Sequence, residues 1–273
     1  MSPAHPTVSV ITAVFNGSRF LEQTLASVAA QDYQSVEHWL IDGASTDNTL
    51  EIIQRHANRI TGWISEPDEG IADAFNKGLA RVTGDYIMFL NADDALAGPA
   101  VIRELIGHAG ANDWPDVIYG DCDLHEPDTD AFLYRAVIAY DRERFLKRET
   151  LPHPGMLTHR RYFERFGRFD PSYEVAMDYE LFLRGIPQVG AIRAPLVVSK
   201  VRAGGVSARS RSLVIDETIR ALKKHGYLTR LEEIKVRASY AARGAARRAL
   251  EEMGLYRNFD RMHRRSRAGN RHG

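Results

Sequence analysis

Between Val8 and Leu90, short apolar runs alternate with segments whose apolar residues recur at helical spacing, and this alternation constrains the fold more than any other feature. Val8–Phe15 (VSVITAVF) is rich in β-branched residues and predicts a strand. Leu21, Leu25, Val28 and Ala29 then share one face of a helix over Phe20–Gln31. Val36–Ile41 predicts a second strand, ending at Asp42-Gly43. Ser45-Thr46-Asp47-Asn48-Thr49 supplies N-cap chemistry for a helix carrying Leu50, Ile53 and Ala57. Trp63–Ser65 predicts a short strand, and Ile71, Ala74, Phe75 and Leu79 mark the next helix. Strands separated by helices in this way imply a mainly parallel sheet with right-handed crossovers.

The segment Tyr86–Asp94, YIMFLNADD, adds a place for chemistry. An apolar run ended by polar residues suits a strand buried on both faces. Ligands of open α/β sheets bind just beyond the carboxyl ends of such strands. Asn91, Asp93 and Asp94 offer hard oxygen ligands there, suited to Mg²⁺ or Mn²⁺ holding a diphosphate. The same pattern also describes a strand followed by an acidic turn. Asp42 ends strand two, so it faces the same rim of the sheet.

Beyond Asp94 the pattern loosens. It predicts a helix near Ala100–His108, a strand at Val117–Tyr119, and short strands and loops over 121–150. Short helices follow at Arg160–Phe166 and Tyr179–Gly185, with a strand at Ile192–Lys200 and an amphipathic helix at Leu213–His225. Leu231–Met253 reads as an Ala/Arg-rich helix, and Met262–Gly273 as a disordered end.

Several classes are excluded or disfavoured. With 44% hydrophobic and 26% charged residues, the chain is expected to fold as a soluble protein. Cys122 is the single cysteine, so neither an intrachain disulfide nor a Cys-rich metal site is available. No G-x-G-x-x-G follows the first strand and no Walker P-loop occurs, which argues against a dinucleotide enzyme or P-loop kinase. The start lacks a signal-peptide pattern, and no apolar run reaches the roughly 18 residues of a membrane span. A cytoplasmic location is the expectation. Formal net charge is zero, yet 12 Lys/Arg stand against 5 Asp/Glu from Arg230 to Gly273. A basic tail calls for an anionic partner. Few aromatics accompany it, so nucleic acid is not expected, and an anionic membrane surface suits it better.

Four segments then carry a resemblance. Val8–Asn16 (VSVITAVFN), Leu40–Thr49 (LIDGASTDNT), Ser65–Gly78 (SEPDEGIADAFNKG) and Gly84–Asp94 (GDYIMFLNADD) together resemble a family 2 glycosyltransferase of the GT-A fold. Leu151–Phe169, Ala176–Arg184 and Gly204-Gly205-Val206-Ser207 extend the likeness into the second half, and the chain is similar to enzymes of bacterial surface polysaccharides and glycolipids. The fold implied is α/β: a Rossmann-like, mainly parallel sheet flanked by helices, with a mixed acceptor-side half and C-terminal helices. The domain expected is 1–229, divided into a nucleotide-sugar half (1–98) and an acceptor and catalytic half (99–229), followed by a basic helical tail (230–273).

The resemblance also implies roles. Asp42 corresponds to the acid that meets the donor base, where an unmatched buried acid would be costly. Asp93 corresponds to the metal-binding acid of a DxD motif whose first acid is here Asn91, with Asp94 as a second candidate ligand. Asn16, Asp68, Asp73, Asn76, Lys77 and Ala92 fall beside the donor. Asp73 and Lys77 are also four residues apart, the spacing of a helix-surface ion pair. Asp178 corresponds to the general base; it could also cap the helix that carries Leu181 and Phe182, a use compatible with catalysis. Glu180, two residues on, points about 200° away on the helix. His153, Arg202 and Ser207 are weaker candidates for acceptor or phosphate contacts, and Asp121 and Asp123 either join the site or line a turn.

The function implied is a metal-dependent, inverting hexosyltransferase. It moves a sugar from a UDP-, GDP- or dTDP-linked donor to a hydroxyl on a glycan or lipid-linked acceptor in envelope assembly. Its place is the cytoplasm, peripheral on the inner face of the membrane. A polyprenyl-phosphate acceptor and a non-catalytic assembly subunit are the rival readings.

Overall fold

The computed structural model describes residues 5–147, 150–205 and 211–238. The chain divides into two compact units, 1–225 and 226–273. Ser207 and the tail beyond residue 238 lie outside the described residues.

Among the described residues, the first unit is built on a nine-stranded sheet. Strands β1 (Val8–Val14), β2 (Val36–Asp42), β3 (Gly62–Ser65) and β4 (Tyr86–Phe89) alternate with helices α1 (Leu21–Ala29), α2 (Thr49–Arg55) and α3 (Ile71–Leu79). They pair in parallel, in the order β3-β2-β1-β4. The register sets Val14 opposite Asp42 and Asp42 opposite Ser65, so these strands end on one rim.

The second half contributes β5 (Ala95–Leu96), α4 (Val101–Ala111), β6 (Val117–His125), β7 (Phe132–Ala136) and α5 (Arg142–Leu146). Next come β8 (Met156–His159), α6 (Arg160–Phe166), α7 (Met177–Val189), β9 (Ile192–Arg202) and α8 (Arg211–Lys224). The sheet continues from β4 through β8, β6 and β9 to β5, with β7 on β6. Here the pairing is mixed: β6 runs parallel to β9 but antiparallel to β7 and β8. Mixed α/β architecture with a mainly parallel first half is the expected fold class.

Some elements differ from expectation. β6 does not stop at Tyr119 but runs to His125, because its second half finds β7 and β9 as partners. β8 has only four residues inside what reads as a loop, and pairing with β4 and β6 on both sides makes it a strand. α7 spans Met177–Val189 with Pro187 inside it, longer than the segment predicted. In the second unit, 230–238 is helical. Its start is a reciprocal cap: the Glu232 carboxylate accepts from the Thr229 N–H at 2.8 Å, and the Thr229 hydroxyl accepts from the Glu232 N–H at 3.3 Å.

Burial follows the strand period. Val8, Val10, Tyr86, Met88 and Leu90 join Val28 of α1 and Val101, Ile102 and Leu105 of α4 in one core cluster. Ile11, of the opposite parity, packs against α3, and a Cβ on Gly78 would stand 2.4 Å from its methyl. Glycine there lets α3 sit close on β1 and so fixes the loop that precedes the helix.

Candidate active site

The rim at the ends of β1, β2 and β4 gathers most of the expected donor-side residues. Asn16 follows β1 with φ of 49°, a left-handed conformation that asparagine tolerates. Its side-chain oxygen accepts from the Thr46 N–H at 2.9 Å, and its own N–H donates to Ser45 Oγ at 2.8 Å. These bonds tie the β1 and β2 ends together.

Asp42 is fully buried. Its carboxylate accepts from the Ser45 hydroxyl, the Ser45 N–H (3.1 Å) and the Ser65 hydroxyl (2.6 Å). A carboxylate has about four acceptor positions, so roughly one remains. Asp68 lies over the next residue: a Cβ on Gly43 would meet its carboxylate at 2.5 Å. Glycine at 43 is therefore what admits a second acid to this end of β2. Asp68 also accepts from the Gly70 N–H at 2.9 Å.

The remaining residues of this loop and helix brace it. Lys77 reaches Pro67 O (2.7 Å), Asp73 (3.2 Å) and Glu66 (3.3 Å), and Asp73 accepts from the Glu69 N–H. Asn76 exchanges two hydrogen bonds with the backbone of Phe169, at 2.9 and 3.0 Å. Its amide is thus committed to holding the segment before α7 against α3.

The turn after β4 separates its two acids. Asp94 is buried, and its carboxylate accepts from the Asn91 amide at 3.0 Å and the Arg202 N–H at 3.3 Å. Burial, reinforced by the neighbouring Asp93 charge, pushes Asp94 up to about 8. Asp93 is half-buried, and burial raises it too. Thr24 pins the turn from behind, donating to Ala92 O (2.8 Å) and Asp94 O (2.6 Å). Arg202 is absorbed into the same support. Its guanidinium donates to Asp93 O at 2.7 Å and Gln23 at 2.5 Å, pairs with Asp130 at 3.2 Å, and stacks 4.1 Å over Phe20.

Asp93 here and Asp178 below are half-buried, as are Asp68 and Asp73. Among the described residues, no cluster of three or more His, Cys, Asp or Glu could hold a metal. A single half-buried carboxylate such as Asp93 is a hard oxygen donor of the kind that suits Mg²⁺ or Mn²⁺ only with water and diphosphate oxygens completing the shell.

Asp178 stands in the first turn of α7, half-buried, and accepts from the neighbouring Tyr179 N–H at 2.7 Å. No side chain caps α7 from its N-cap residue, Ala176; Glu217 of α8 instead holds the segment leading into the helix, accepting from the N–H groups of Glu174, Val175 and Ala176 at 2.8, 2.9 and 2.8 Å. Glu217 was not foreseen, because a single acid on an amphipathic helix carries no signal of a contact formed across the fold. Glu180 turns the other way, fully buried against Arg184, Lys224 and His225.

His153 lies in an aromatic nest. It stacks on Phe89 at 5.3 Å, with Phe75, Phe169 and Phe182 within 6.0 Å. Burial lowers its pKa, opposed by the charge of Asp178, so the ring is neutral near pH 7. Asp121 and Asp123 are committed to Arg193 and Arg135, each at 2.7 Å.

Comparison with known proteins decides the family. A model of glycosyl transferase family 2 matches residues 9–167.

The chain belongs to glycosyl transferase family 2.

Among similar family 2 sequences, an uncharacterized glycosyltransferase of Mycobacterium tuberculosis is 32% identical, over 66% of this chain and 68% of its own. A PGL/p-HBAD biosynthesis glycosyltransferase of Mycobacterium bovis is 29% identical, over 66% and 70%. Among solved structures, S. aureus TarS in complex with UDP aligns with a TM-score of 0.65 at 16% identity, covering 84% of this chain and 68% of that one. The mannosyltransferase PcManGT from Pyrobaculum calidifontis, in complex with GDP-Man and Mn²⁺, aligns at 0.60 with 20% identity, covering 96% and 85%. At these identities the likeness shows the fold, which is GT-A. The chain is accordingly a glycosyltransferase. Among the described residues no helix is long and apolar enough to cross a membrane.

Proposed function

We propose that this glycosyltransferase inverts configuration, moving a sugar from a nucleoside-diphosphate donor to an acceptor hydroxyl, with Asp178 as general base. One observation carries the reading: the acids divide by how much of each carboxylate the fold already uses. Asp42, Asp94 and Glu180 are buried and bonded within the fold. Asp178 and Asp93 are half-buried, and Asp178 accepts from its own helix alone among the bonds described above. Proton removal needs a carboxylate with an open acceptor position.

In this mechanism the acceptor oxygen attacks the anomeric carbon opposite the diphosphate. A C–O bond forms as the C–O bond to phosphate breaks, the proton passes to Asp178, and the nucleoside diphosphate leaves with the bonding pair. Asp93 would hold Mg²⁺ or Mn²⁺, which supplies neutralisation of the diphosphate. Asp68, which lies over Gly43 at the end of β2, would meet the donor base, with the buried Asp42 behind it holding Ser45 and Ser65 in place. Asn16, Ala92, Asn76, Lys77 and Asp73 support this rim through the bonds already described. The Mycobacterium bovis relative supports a role in glycolipid assembly.

The test is a thermal-shift screen against UDP-, GDP- and dTDP-sugars with Mn²⁺, followed by NMR of the product's anomeric configuration. A ligand at 100 times its Kd should stabilise the fold by about 2.7 kcal/mol. No shift from any nucleotide sugar, or a retained anomeric configuration, defeats the proposal.

A further inference from the structure

Three successive carbonyls in the turn after β4 are each held by a side chain from elsewhere in the fold. The Thr24 hydroxyl of α1 reaches those of Ala92 (2.8 Å) and Asp94 (2.6 Å). Arg202, the last residue of β9, holds the one between them, donating from Nη1 to Asp93 O at 2.7 Å. The peptides on both sides of Asp93 are therefore pinned, one by Thr24 and one by Arg202. A carboxylate on one Cβ has few rotamers, so the flanking peptides set the directions in which it can point. Groups that orient a metal ligand in this way govern metal affinity without touching the metal.

The Arg202 guanidinium is used up by the fold. Nη2 donates to Gln23 at 2.5 Å and to Asp130 at 3.2 Å, and the Phe20 ring covers one face at 4.1 Å. Nε is sealed from solvent, and the whole side chain is only 7% exposed. No fork is left to grip a diphosphate. Asp130 is itself held in place. It sits in the turn between β6 and β7 with φ of 55°, its N–H donates to Glu126 O at 2.9 Å, and its carbonyl lies 2.8 Å from His125 Nδ1. Arg202 thus joins α1, the β6–β7 turn and the Asp93 peptide through one planar group.

We propose that Arg202 is a positioning residue for the divalent cation: it aims Asp93 through the Asp93 carbonyl, with Asp130 as its counter-ion, and makes no contact with the diphosphate. The proposal rests on the reading of Asp93 as the metal ligand and deepens it. Lysine at 202 would keep the charge, but one ammonium on a flexible stem does not reproduce a fork that spans three elements. Charge and aim can therefore be separated by experiment.

The test is calorimetry of nucleotide binding to the full chain, with whichever of UDP, GDP or dTDP stabilises it, once in EDTA and once with saturating Mn²⁺. The quantity read is the factor by which Mn²⁺ tightens the nucleotide. Arg202→Lys should cut that factor about tenfold or more and leave the affinity in EDTA unchanged. Asp130→Asn, at a position 51% exposed, should cut it about two- to fivefold, the scale of a partly exposed ion pair, and carries the test alone if Arg202→Lys does not fold. An unchanged factor in either folded variant overturns the proposal, whatever happens to melting temperature. So does an equal loss of affinity in EDTA and in Mn²⁺, which would make Arg202 a diphosphate contact. If Mn²⁺ fails to tighten nucleotide binding in the unmodified protein, the Asp93 metal reading falls first, and this proposal with it.

Discussion

Asp178 and Glu180 are two residues apart on one helix, and their surroundings give them opposite uses. Glu180 is fully buried; burial alone would raise it, but hydrogen bonds from Arg184, His225 and Lys224 outweigh that and hold its carboxyl below the usual range. Asp178 keeps an open side. Asp178→Asn should therefore leave nucleotide affinity intact and lower kcat by ~10²–10⁴, the usual worth of a general base. Near-normal turnover in a transfer assay would remove Asp178 from the mechanism. Asp93→Asn should raise the Mn²⁺ concentration needed for half-maximal activity by tenfold or more, on the order of 1.4 kcal/mol, and an unchanged metal requirement would count against it. A third residue gives a pH dependence of folding. His38 is buried in β2 beside Thr12, and burial lowers its pKa from 6.5 to about 3. Its neutral form is thus favoured in the folded state. The associated stability is fully present above pH 6.5 and is lost as pH falls from there toward 3, by up to ~1.4 kcal/mol per pH unit. Melting temperature should fall below pH 6.5, and His38→Gln should flatten that slope. Residue types at the rim were legible in the sequence; how much of each carboxylate remained available was not, because Ser65, Arg202 and Glu217 reach their partners only through the fold.

At the scale of elements, α7 starts without a side-chain cap, and Glu217 of α8 holds the three residues that lead into it. Removing three bonds at once, one buried and two part-buried, frees that lead-in segment. Glu217→Ala should cost about 2–4 kcal/mol in denaturant unfolding and depress kcat more than nucleotide affinity, because the segment runs straight into the turn that carries Asp178. A loss below ~1 kcal/mol would show that Glu217 does not hold this segment. The long elements were legible from period alone: β1, α1, β2, α3 and β4 all appear close to where their apolar spacing places them. β8 was hidden, since four residues after a Pro-Gly turn carry too little pattern, and only β4 and β6 on either side make them a strand. β7 was hidden for a different reason. Phe132, Leu133 and Tyr134 are all exposed, so no alternation marks a buried face.

For the whole molecule, the unit 1–225 holds the entire candidate site, and the basic surplus lies in the other unit. A chain ending at His225 should keep its nucleotide-induced thermal shift. The full chain should sediment with phosphatidylserine-containing vesicles at low salt, with each basic residue near the surface worth ~1 kcal/mol, and the shortened chain should not. Equal sedimentation of both would reject the tail as a membrane contact. The sequence by itself determined the alternation of strands and helices, and hence a parallel first half with acids at its carboxyl rim, because side-chain periodicity and strand-end polarity are local properties. Membership of family 2 was legible for the same reason, in contiguous segments around Asn16, Asp42, Asp68 and Asp93. Only the tertiary structure decided which acid faces inward and which outward. It placed Asp94 under Arg202, Asp42 against Ser65 as well as its neighbour Ser45, and Asp178 on a helix whose lead-in is held by Glu217, these distant partners lying 23 to 108 residues away in the chain. Burial and hydrogen-bond saturation are sums that include such partners, so no local stretch of sequence contains them in full.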